Sequence, residues 1–511
     1  MTQEDVYRLF GEIDRRPAIM EPRVGRWRAW PIAKMPLVWH LMQAREPSDP
    51  INNVSLWSKL SERLPRYTAD VSVAFRQYRR IRKLPRDGAV GMLYLPRVHR
   101  LADGRTQDFI FGDLLAGEGL AKPSLALEHP WPSEGPAQRA NGSAIDLHPY
   151  HSAAEQIAVV LMASPPLRRV AAELNERLPN VEMPLDPAAR SRKMLLALAL
   201  FEAKRRLFRR LASRLHLQAL VVTYGPGRFA EIAAARELGL PVIELQHGVI
   251  GPHCPDYAWP AEYRSLKAEI PLPDRIAVFG QVFRDLILRS GFWRESEILP
   301  VGAAAMESFR RSAPPTRRSA GPLRLVFMTQ ATSRQAAIPF WQEVAESSAA
   351  KADGLRVAFK IHPEEQREAG LYREIASVAP DRFELKPADC NPIDAMLSSD
   401  VVVSYNSMAL VEALGLGVPA ISLCGGSIPG GFAGSFDLAS ITSVMPHVRS
   451  PQELLAVLRE RAADERKLAQ WREQARAHGN DFFADGFTAA AKALINDALT
   501  LNAGRAPLPV H

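Results

Sequence analysis

The chain has 511 residues, of which 47% are hydrophobic and 23% charged, with a formal net charge of +8. This composition predicts a globular protein of more than one domain and excludes a disordered or fibrous chain. The positive charge suits an anionic small molecule, a membrane surface or a nucleic acid, and does not select among them.

The cysteines and the apolar segments favour a cytoplasmic location. Cys254, Cys390 and Cys424 form no C-x-x-C pair, so we expect neither a disulfide framework nor a zinc ribbon. The first 16 residues carry charges where a signal peptide needs an apolar core, and no apolar run approaches the ~18 residues of a membrane-spanning helix.

Residues 1–85 lack an alternating order of strands and helices, and they predict a helical, basic extension. The stretch FRQYRRIRKLPR (residues 75–86) is typical of a solvated helix face. Its arginines also fit peripheral contact with an anionic lipid surface on the inner face of the membrane. The basic residues lack the interleaved aromatic residues of a nucleic-acid site, so no nucleic-acid partner is expected.

Residues 86–275 predict a first α/β domain. Two strand-like segments, GMLYLP and PSLALEHP, come first, and the second contains Glu128 near its end. Further along, LQALVVTY, a GPG turn, a short helix and LPVIELQ form a β–α–β unit with buried parallel strands. Tyr224 ends the first of these strands, and Gln246, His247 and Gly248 follow the second, where open α/β sheets bind ligands.

Residues 276–490 predict a second α/β domain, and residues 491–511 a carboxyl-terminal tail. Strand-like segments such as LRLVFMTQ, LRVAFKIHP, DVVVSYN and VPAISLCGG alternate with helices. The fold class expected for the whole chain is therefore α/β, with two Rossmann-like domains facing a cleft.

Polar residues follow three strands of this second domain. The stretch SYNSMALVEALG predicts a helix whose amino terminus, at Asn406 and Ser407, is a potential anion site, although an ordinary capped helix has the same pattern. KIHP and FMTQATSR follow two other strands, and FMTQATSR lacks the glycines and the lysine–serine pair of a P-loop. The candidate nucleotide-binding residues are Thr329, Gln330, Lys360, His362, Ser404, Asn406, Ser407 and Glu412.

The combination of LQHG, KIHP and SYNSMALVEALGLGVPAI resembles the GT-B glycosyltransferases, and more narrowly the bacterial surface-polysaccharide transferases of capsule and lipopolysaccharide. By this resemblance, His362 and Ser404 or Ser407 contact the donor phosphate and nucleotide, and Glu412 bonds the donor ribose. The resemblance covers about residues 215–430 by motif.

The function implied is transfer of a sugar, with a CMP-activated acidic sugar favoured, from a nucleotide-sugar to a glycan or lipid-linked glycan acceptor. Three alternatives stay open: a CDP-glycerol-type glycerophosphotransferase, a UDP-sugar 2-epimerase, and a non-catalytic assembly subunit. No cofactor beyond the nucleotide-sugar substrate is expected.

The loop ELQHGVIGPHCPDY then predicts acceptor-side chemistry. His247 is the expected catalytic residue, since imidazole can take a proton from a hydroxyl or donate a hydrogen bond to a departing phosphate. Asp256 and Glu128 are the other candidate carboxylates, and Gln246, Gly248 and Tyr224 are placed on the acceptor side. We expect no metal because the histidine and cysteine spacing offers no fourth ligand, and a purely structural turn is the remaining interpretation.

Overall fold

The computed structural model describes residues 3–43, 88–96, 98–100, 106–129, 144–178, 185–312, 321–330, 333–347, 350, 354–387, 389–405, 407–425 and 439–502. The basic stretch at 75–86, with its predicted membrane contact, and Asn406 lie outside these residues.

Within the described residues, the first sheet has seven parallel strands in the order β11-β10-β9-β8-β3-β6-β7. Its strands are β3 (Ala89–Tyr94), β6 (Ser124–Glu128), β7 (Ile145–Asp146), β8 (Leu217–Thr223), β9 (Val242–Leu245), β10 (Arg275–Val278) and β11 (Ile298–Pro300). From β3 the chain adds β6 and β7 on one side of the sheet, and then β8 to β11 on the other side. This is the Rossmann order, and its switch point lies between β3 and β8.

The second sheet has six parallel strands in the order β14-β13-β12-β15-β16-β17. Its strands are β12 (Arg324–Met328), β13 (Arg356–Lys360), β14 (Phe383–Leu385), β15 (Val401–Ser404), β16 (Ala420–Leu423) and β17 (His447–Val448). This is again the Rossmann order, with its switch point between β12 and β15. Two antiparallel pairs lie outside the sheets: β1 (Arg23–Val24) with β2 (Trp27–Arg28), and β4 (Val98–Arg100) with β5 (Thr106–Asp108).

Helices cover both sheets and build the amino-terminal extension. The described α-helices are α1 (Gln3–Asp14), α2 (Ala29–Gln43), α3 (His148–Leu161), α4 (Pro165–Glu176), α5 (Pro187–Arg214), α6 (Phe229–Glu237), α7 (Gln281–Leu288), α8 (Ala304–Ser312), α9 (Arg334–Glu346), α10 (Ala369–Val378), α11 (Pro392–Leu397), α12 (Met408–Gly415), α13 (Pro451–Arg461), α14 (Glu465–Phe482) and α15 (Phe487–Asn502). None of the helices in the described part of the chain is long and apolar enough to cross a membrane.

Both faces of the second sheet are buried, as its continuous apolar strands predict. Val326 and Val402 enter a core shared with the first domain, whereas Leu325 and Val401 enter a second core under α9 and α13. The two parallel sheets confirm the predicted α/β fold class with two Rossmann-like domains and, in residues 3–43, a helical amino-terminal extension.

The domain boundary differs from the one predicted at residue 275. β10 and β11 pair in register with β9 and with each other, so they extend the first sheet. Helix α15, which includes most of the expected tail, packs its Phe487 and Ile495 into the core of the first domain. Strand–helix alternation looks the same in both domains, and it therefore does not show at which strand one sheet ends.

Candidate functional site

Two groups of polar side chains lie at the carboxyl ends of the sheets. One follows β12, β13 and β15 of the second sheet, on either side of its switch point. The other follows β8 and β9 of the first sheet, of which β8 borders the switch point there. Ligands of open α/β sheets bind at such edges, because the connections to the neighbouring strands diverge there and leave a crevice.

In the second domain, hydrogen bonds join the ends of β12 and β13. The backbone N–H of Thr329 donates to the Lys360 carbonyl (3.1 Å), and the N–H of His362 donates to the Thr329 hydroxyl oxygen (2.8 Å). Thr329 is buried, whereas the His362 side chain is exposed. Thr329 therefore fixes the backbone that carries His362, and the imidazole is the group that can meet a ligand. Gln330 follows Thr329 and is half-buried.

A buried carboxylate beneath this edge was not predicted from the sequence. Glu365 is fully buried, and its N–H donates to the His362 carbonyl (2.8 Å). Burial raises the pKa of Glu365, and hydrogen bonds from Thr329 and Tyr372 act in the opposite direction. Glu365 thus supports the Thr329–His362 turn from below. The sequence signal for it is a glutamate three residues after the histidine of KIHP.

The side chains of Lys360 and Ser404 are buried, whereas a phosphate-binding side chain has to be accessible to its ligand. The Lys360 ammonium donates to the Ile361 carbonyl (3.3 Å), and burial lowers the pKa of this lysine. The Ser404 hydroxyl is fully buried and donates to the Met328 carbonyl (2.8 Å), so it braces β15 against β12.

Ser407 is the better placed of the two serines considered for the donor phosphate. It caps α12, its side-chain oxygen accepts from the Ala409 N–H (3.2 Å), and it is half-buried. Glu412 is half-buried further along α12. His362 and the amino terminus of α12 thus flank β12, and both can offer hydrogen-bond donors to an anion.

In the first domain, the turn after β8 has an unusual backbone conformation. Tyr224 has φ 56° and ψ 68°, in the left-handed region that is uncommon for a residue with a large side chain. Its ring packs against His247 (4.8 Å between centroids) and Trp39 (6.0 Å). Such strained residues concentrate at functional sites, where surrounding contacts hold them in place.

The carboxylate of Glu244 holds the turn after β8 in place. It lies inside β9, is buried, and receives hydrogen bonds from the Tyr257 hydroxyl and the Gly225 N–H. A Cβ on Gly225 would come within 2.2 Å of a Glu244 carboxylate oxygen, so the turn requires glycine there. Glu244 was not predicted as a site residue, although a carboxylate in a buried parallel strand (VIEL) is a signal for one.

The loop after β9 presents His247 and braces it. The buried Gln246 side chain donates to the Gly248 carbonyl (2.7 Å) and accepts from the Phe279 N–H (2.7 Å). Gln246 therefore positions the loop rather than contacting an acceptor. His247 and Gly248 are partly exposed, and a Cβ on Gly248 would meet nothing within 4 Å. The loop thus has open space beside Gly248.

Asp256 is buried further along this loop and lies near Tyr224. Burial raises its pKa to about 7, against the opposing charge of Lys34 and a hydrogen bond from Cys254. Burial likewise raises the pKa of Glu244 to about 7. Carboxyl groups whose pKa is shifted this far by burial concentrate at functional sites, so both belong to the candidate site.

The amino-terminal extension forms part of this site. Lys34 of α2 is fully buried, pairs with Asp14 of α1 (2.8 Å) and donates to the Pro255 carbonyl (2.6 Å). Its ammonium also lies 3.5 Å from the centroid of the Trp259 ring. These contacts fasten the extension to the loop that contains Asp256, and Trp39 of the same helix reaches Tyr224. No sequence motif predicted this role.

Glu128 lies at a different part of the carboxyl edge of the first sheet. It is buried at the end of β6 and accepts from the Tyr94 hydroxyl (2.8 Å). Three strand spacings separate β6 from β9, or about 14 Å. The structure brings Tyr224, His247 and Asp256 together and leaves Glu128 outside this cluster.

Among the described residues, no group of three or more histidine, cysteine, aspartate or glutamate side chains is arranged to hold a metal ion. In the loop, Cys254 is buried and lies near Asp256 (Sγ–Oδ2, 3.8 Å), while His253 is exposed.

Several solved structures are similar to this chain in fold at low sequence identity. A co-structure of S. aureus MnaA with UDP has a TM-score of 0.48 and 11% identity, and covers 81% of this chain and 97% of its own. Acinetobacter baumannii MurG has a TM-score of 0.43 and 13% identity, with coverage of 80% and 99%. A Listeria monocytogenes protein described as a UDP-N-acetylglucosamine 2-epimerase has a TM-score of 0.45 and 13% identity, with coverage of 83% and 99%.

These likenesses concern the fold and give no residue of this chain a role. No family model matches the chain, and no curated protein matches it.

Proposed function

We propose that this chain is a glycosyltransferase that moves a sugar from a nucleotide-sugar to a glycan or lipid-linked glycan acceptor in surface polysaccharide biosynthesis. The observation that carries the proposal is the pair of polar groups at the carboxyl edges of two Rossmann-type sheets. One group has a helix amino terminus and an exposed histidine, and the other has a histidine that packs on Tyr224, whose neighbourhood includes two buried carboxyl groups with raised pKa.

The second domain is the proposed donor site. A donor phosphate between His362 and the amino terminus of α12 would accept hydrogen bonds from the imidazole and from backbone N–H groups near Ser407. Glu412, by the resemblance drawn from its motif, would bond the ribose. The structure favours His362 and Ser407 over Lys360 and Ser404, which are buried and already hydrogen-bonded. We also propose that the donor nucleotide is CMP.

The first domain is the proposed acceptor site, and its edge borders the second domain. Gln246 holds the loop of His247 to Phe279, which packs against Phe483 (5.5 Å between centroids) just after α14 of the second domain. The Phe279 carbonyl also accepts from the Ala484 N–H (2.8 Å). A loop next to this joint is suitably placed for chemistry on a donor held by the second domain.

The proposed reaction is displacement at the anomeric carbon. A bond forms from the acceptor oxygen to this carbon, and the bond to the donor phosphate breaks, so that the nucleotide leaves with the electron pair. His247 takes the proton from the acceptor hydroxyl. His362 and the helix amino terminus stabilise the charge that develops on the leaving phosphate. Glu244 holds the turn at Gly225, and Asp256 lies near Tyr224, the residue on which His247 packs.

Product analysis of the purified full-length chain with a panel of nucleotide-sugars, with and without glycan acceptors, tests this function. Nucleotide release that requires an acceptor, together with a lengthened glycan, is the expected result. Epimerised donor in the absence of acceptor would replace the proposal with a 2-epimerase. Transfer of glycerol phosphate from CDP-glycerol would replace it with a glycerophosphotransferase. Absence of both turnover and nucleotide binding would indicate a non-catalytic assembly subunit.

A further inference from the structure

A cavity of about 600 Å³ lies between the amino-terminal extension and the end of α5. The described residues that line it include six arginines and a single carboxylate, Glu237. The lining arginines are Arg26, Arg205, Arg206, Arg209, Arg210 and Arg214. Its volume falls in the range of small-molecule sites, about 300–1,000 Å³.

Two glutamates hold part of this cluster in place. Arg205 pairs with Glu237 (2.7 Å) and Glu202 (2.8 Å), and Arg206 also pairs with Glu202. Arg209 reaches Glu237 only at 4.0 Å. The glutamates thereby fix one side of the cavity and leave most of its positive charge uncompensated.

Arg210, Arg214 and Arg26 contribute the uncompensated positive charge. Within the described part of the chain, no acidic side chain lies within ion-pair distance of Arg210 or Arg214, which are exposed. Arg206, Arg210 and Arg214 are spaced four residues apart on one face of α5, so their like charges repel one another. The Arg26 Nε is buried and has no hydrogen-bond acceptor among the described residues. A bound anion would reduce the repulsion among these arginines and would give the Arg26 Nε a hydrogen-bond acceptor.

The back of the cavity is rigid. The Trp27 indole is buried, its N–H donates to Glu237 (2.9 Å), and the Arg26 guanidinium lies 5.1 Å from the ring centroid. The tryptophan therefore fixes Glu237 and one of the cationic groups before any ligand binds. A preorganised site of this kind loses less entropy when a ligand binds.

The cavity is remote from the candidate acceptor site. Arg214 ends α5 just before β8, and Glu237 ends α6 just before β9, so the cavity lies at the amino edge of the first sheet. Tyr224 and His247 lie at the carboxyl edge. The seven residues of β8 separate the two edges by about 23 Å.

We propose that this arginine cavity is a second ligand site, specific for a diphosphate group. A diphosphate carries several charges and many acceptor oxygens within the span of the arginines, and guanidinium groups bind phosphate oxygens in pairs. The diphosphate has two chemical sources, a soluble nucleoside diphosphate and an isoprenyl diphosphate presented by a membrane.

Calorimetric titration of the full chain with inorganic pyrophosphate tests the proposal. A His362→Ala background removes the contribution of the donor site in the second domain. The double variant Arg210→Gln/Arg214→Gln should lose at least about tenfold in affinity, because each charge-assisted hydrogen bond contributes about that much. Arg169→Gln/Arg192→Gln removes the same charge from exposed positions outside the cavity and should bind normally. Inorganic phosphate should bind more weakly than pyrophosphate.

Two further probes identify the source: uridine diphosphate in solution, and phosphatidylcholine vesicles that contain farnesyl diphosphate. Binding of either that depends on Arg210 and Arg214 supports the site and names its source. Absence of pyrophosphate binding, equal losses in the two double variants, or equal affinity for phosphate and pyrophosphate would overturn the proposal. None of these outcomes bears on sugar transfer, which is measured separately.

Discussion

His247 is distinguished by its surroundings rather than by its residue type. It is partly exposed and packs on Tyr224, a residue held in a strained backbone conformation. The nearby carboxyl groups of Glu244 and Asp256 both have a pKa raised by burial to about 7. Imidazole is the side chain that most often takes or gives a proton in catalysis, which makes His247 the first residue to test.

We predict that His247→Ala loses about a hundredfold or more in sugar-transfer rate, because the general base is removed. Nucleotide affinity and melting temperature should stay unchanged, since the side chain is partly exposed. His253→Ala is the matched control, because this exposed histidine lies in the same loop. Equal rates in the His247→Ala variant and the wild type would place the base elsewhere, with Asp256 examined next.

We also predict a pH-dependent effect of Asp256→Asn on stability. Burial raises the pKa of Asp256 to about 7 in the folded chain, above its ordinary value of 3.8. A raised carboxyl pKa means that the wild type loses stability as pH rises from about 4 through 7, at up to about 1.4 kcal/mol for each pKa unit. Asparagine does not ionise and avoids this loss.

Thermal or denaturant unfolding at pH 5 and pH 8 measures this effect. The stability of Asp256→Asn relative to the wild type should be higher at pH 8 than at pH 5. A relative stability that is the same at both pH values would mean that Asp256 ionises in the folded chain as it does in water.

The turn between β8 and α6 connects the end of a buried strand to the candidate acceptor site. Gly225 allows Glu244 to approach, and Glu244 in turn holds Tyr257 of the following loop. A larger residue in the turn would therefore disturb Tyr224 and the loop together.

We predict that Gly225→Ala lowers the melting temperature and the transfer rate, because its Cβ would collide with the buried Glu244 carboxylate. Overpacking of this kind typically costs about 1–3 kcal/mol. Gly248→Ala is the contrasting variant, since its Cβ meets nothing within 4 Å, and its melting temperature should be unchanged. If substrate approaches the backbone at Gly248, this variant raises the KM for the acceptor. Equal melting temperatures for both variants would contradict the packing described for Glu244.

The sequence predicted those elements whose pattern is local. LQALVVTY and LPVIELQ are buried parallel strands, and the Ser407 cap lies where SYNS indicated. Contacts between distant segments were not predictable in the same way. Ser404 was predicted to bind the nucleotide, and only the register of β15 against β12 shows that its hydroxyl instead donates to the Met328 carbonyl.

Glu244 and Glu365 were missed for a related reason. A single glutamate in or near a strand is a weak signal, because its burial depends on the packing of other elements around it. The contacts of Lys34 and Trp39 with the site likewise arise from segments roughly 200 residues away in the chain.

At the scale of the whole molecule, the chain crosses between its domains twice. It leaves the first domain after α8 and returns through α14 and the segment that precedes α15. On return, the Ala484 N–H donates to the Phe279 carbonyl, and Arg310 of α8 donates to the Gly415 carbonyl (2.8 Å) of the second domain.

We predict that a chain ending at residue 486 is strongly destabilised in its first domain. Such a chain lacks α15, whose apolar face includes Phe487, Leu494 and Ile495, and it exposes the core that they cover. Each buried side chain of this size contributes about 1.5–3 kcal/mol. A chain ending at residue 502 keeps α15 and is the control. Identical unfolding curves for the two truncated chains would contradict the assignment of α15 to the first domain.

The central claim is that the second domain binds the nucleotide through His362 while the first domain performs the chemistry. Calorimetric titration with CMP, CDP, UDP, GDP and dTDP of a parent chain and of its His362→Ala, His247→Ala and His478→Ala variants tests it directly. With Arg210→Gln/Arg214→Gln as the parent chain, so that the arginine cavity does not contribute, we predict that one nucleotide binds the parent, that adding His362→Ala loses about tenfold or more in affinity for it, and that adding His247→Ala or the control His478→Ala leaves this affinity as it is in the parent. Unchanged nucleotide affinity in a folded His362→Ala protein would contradict the account.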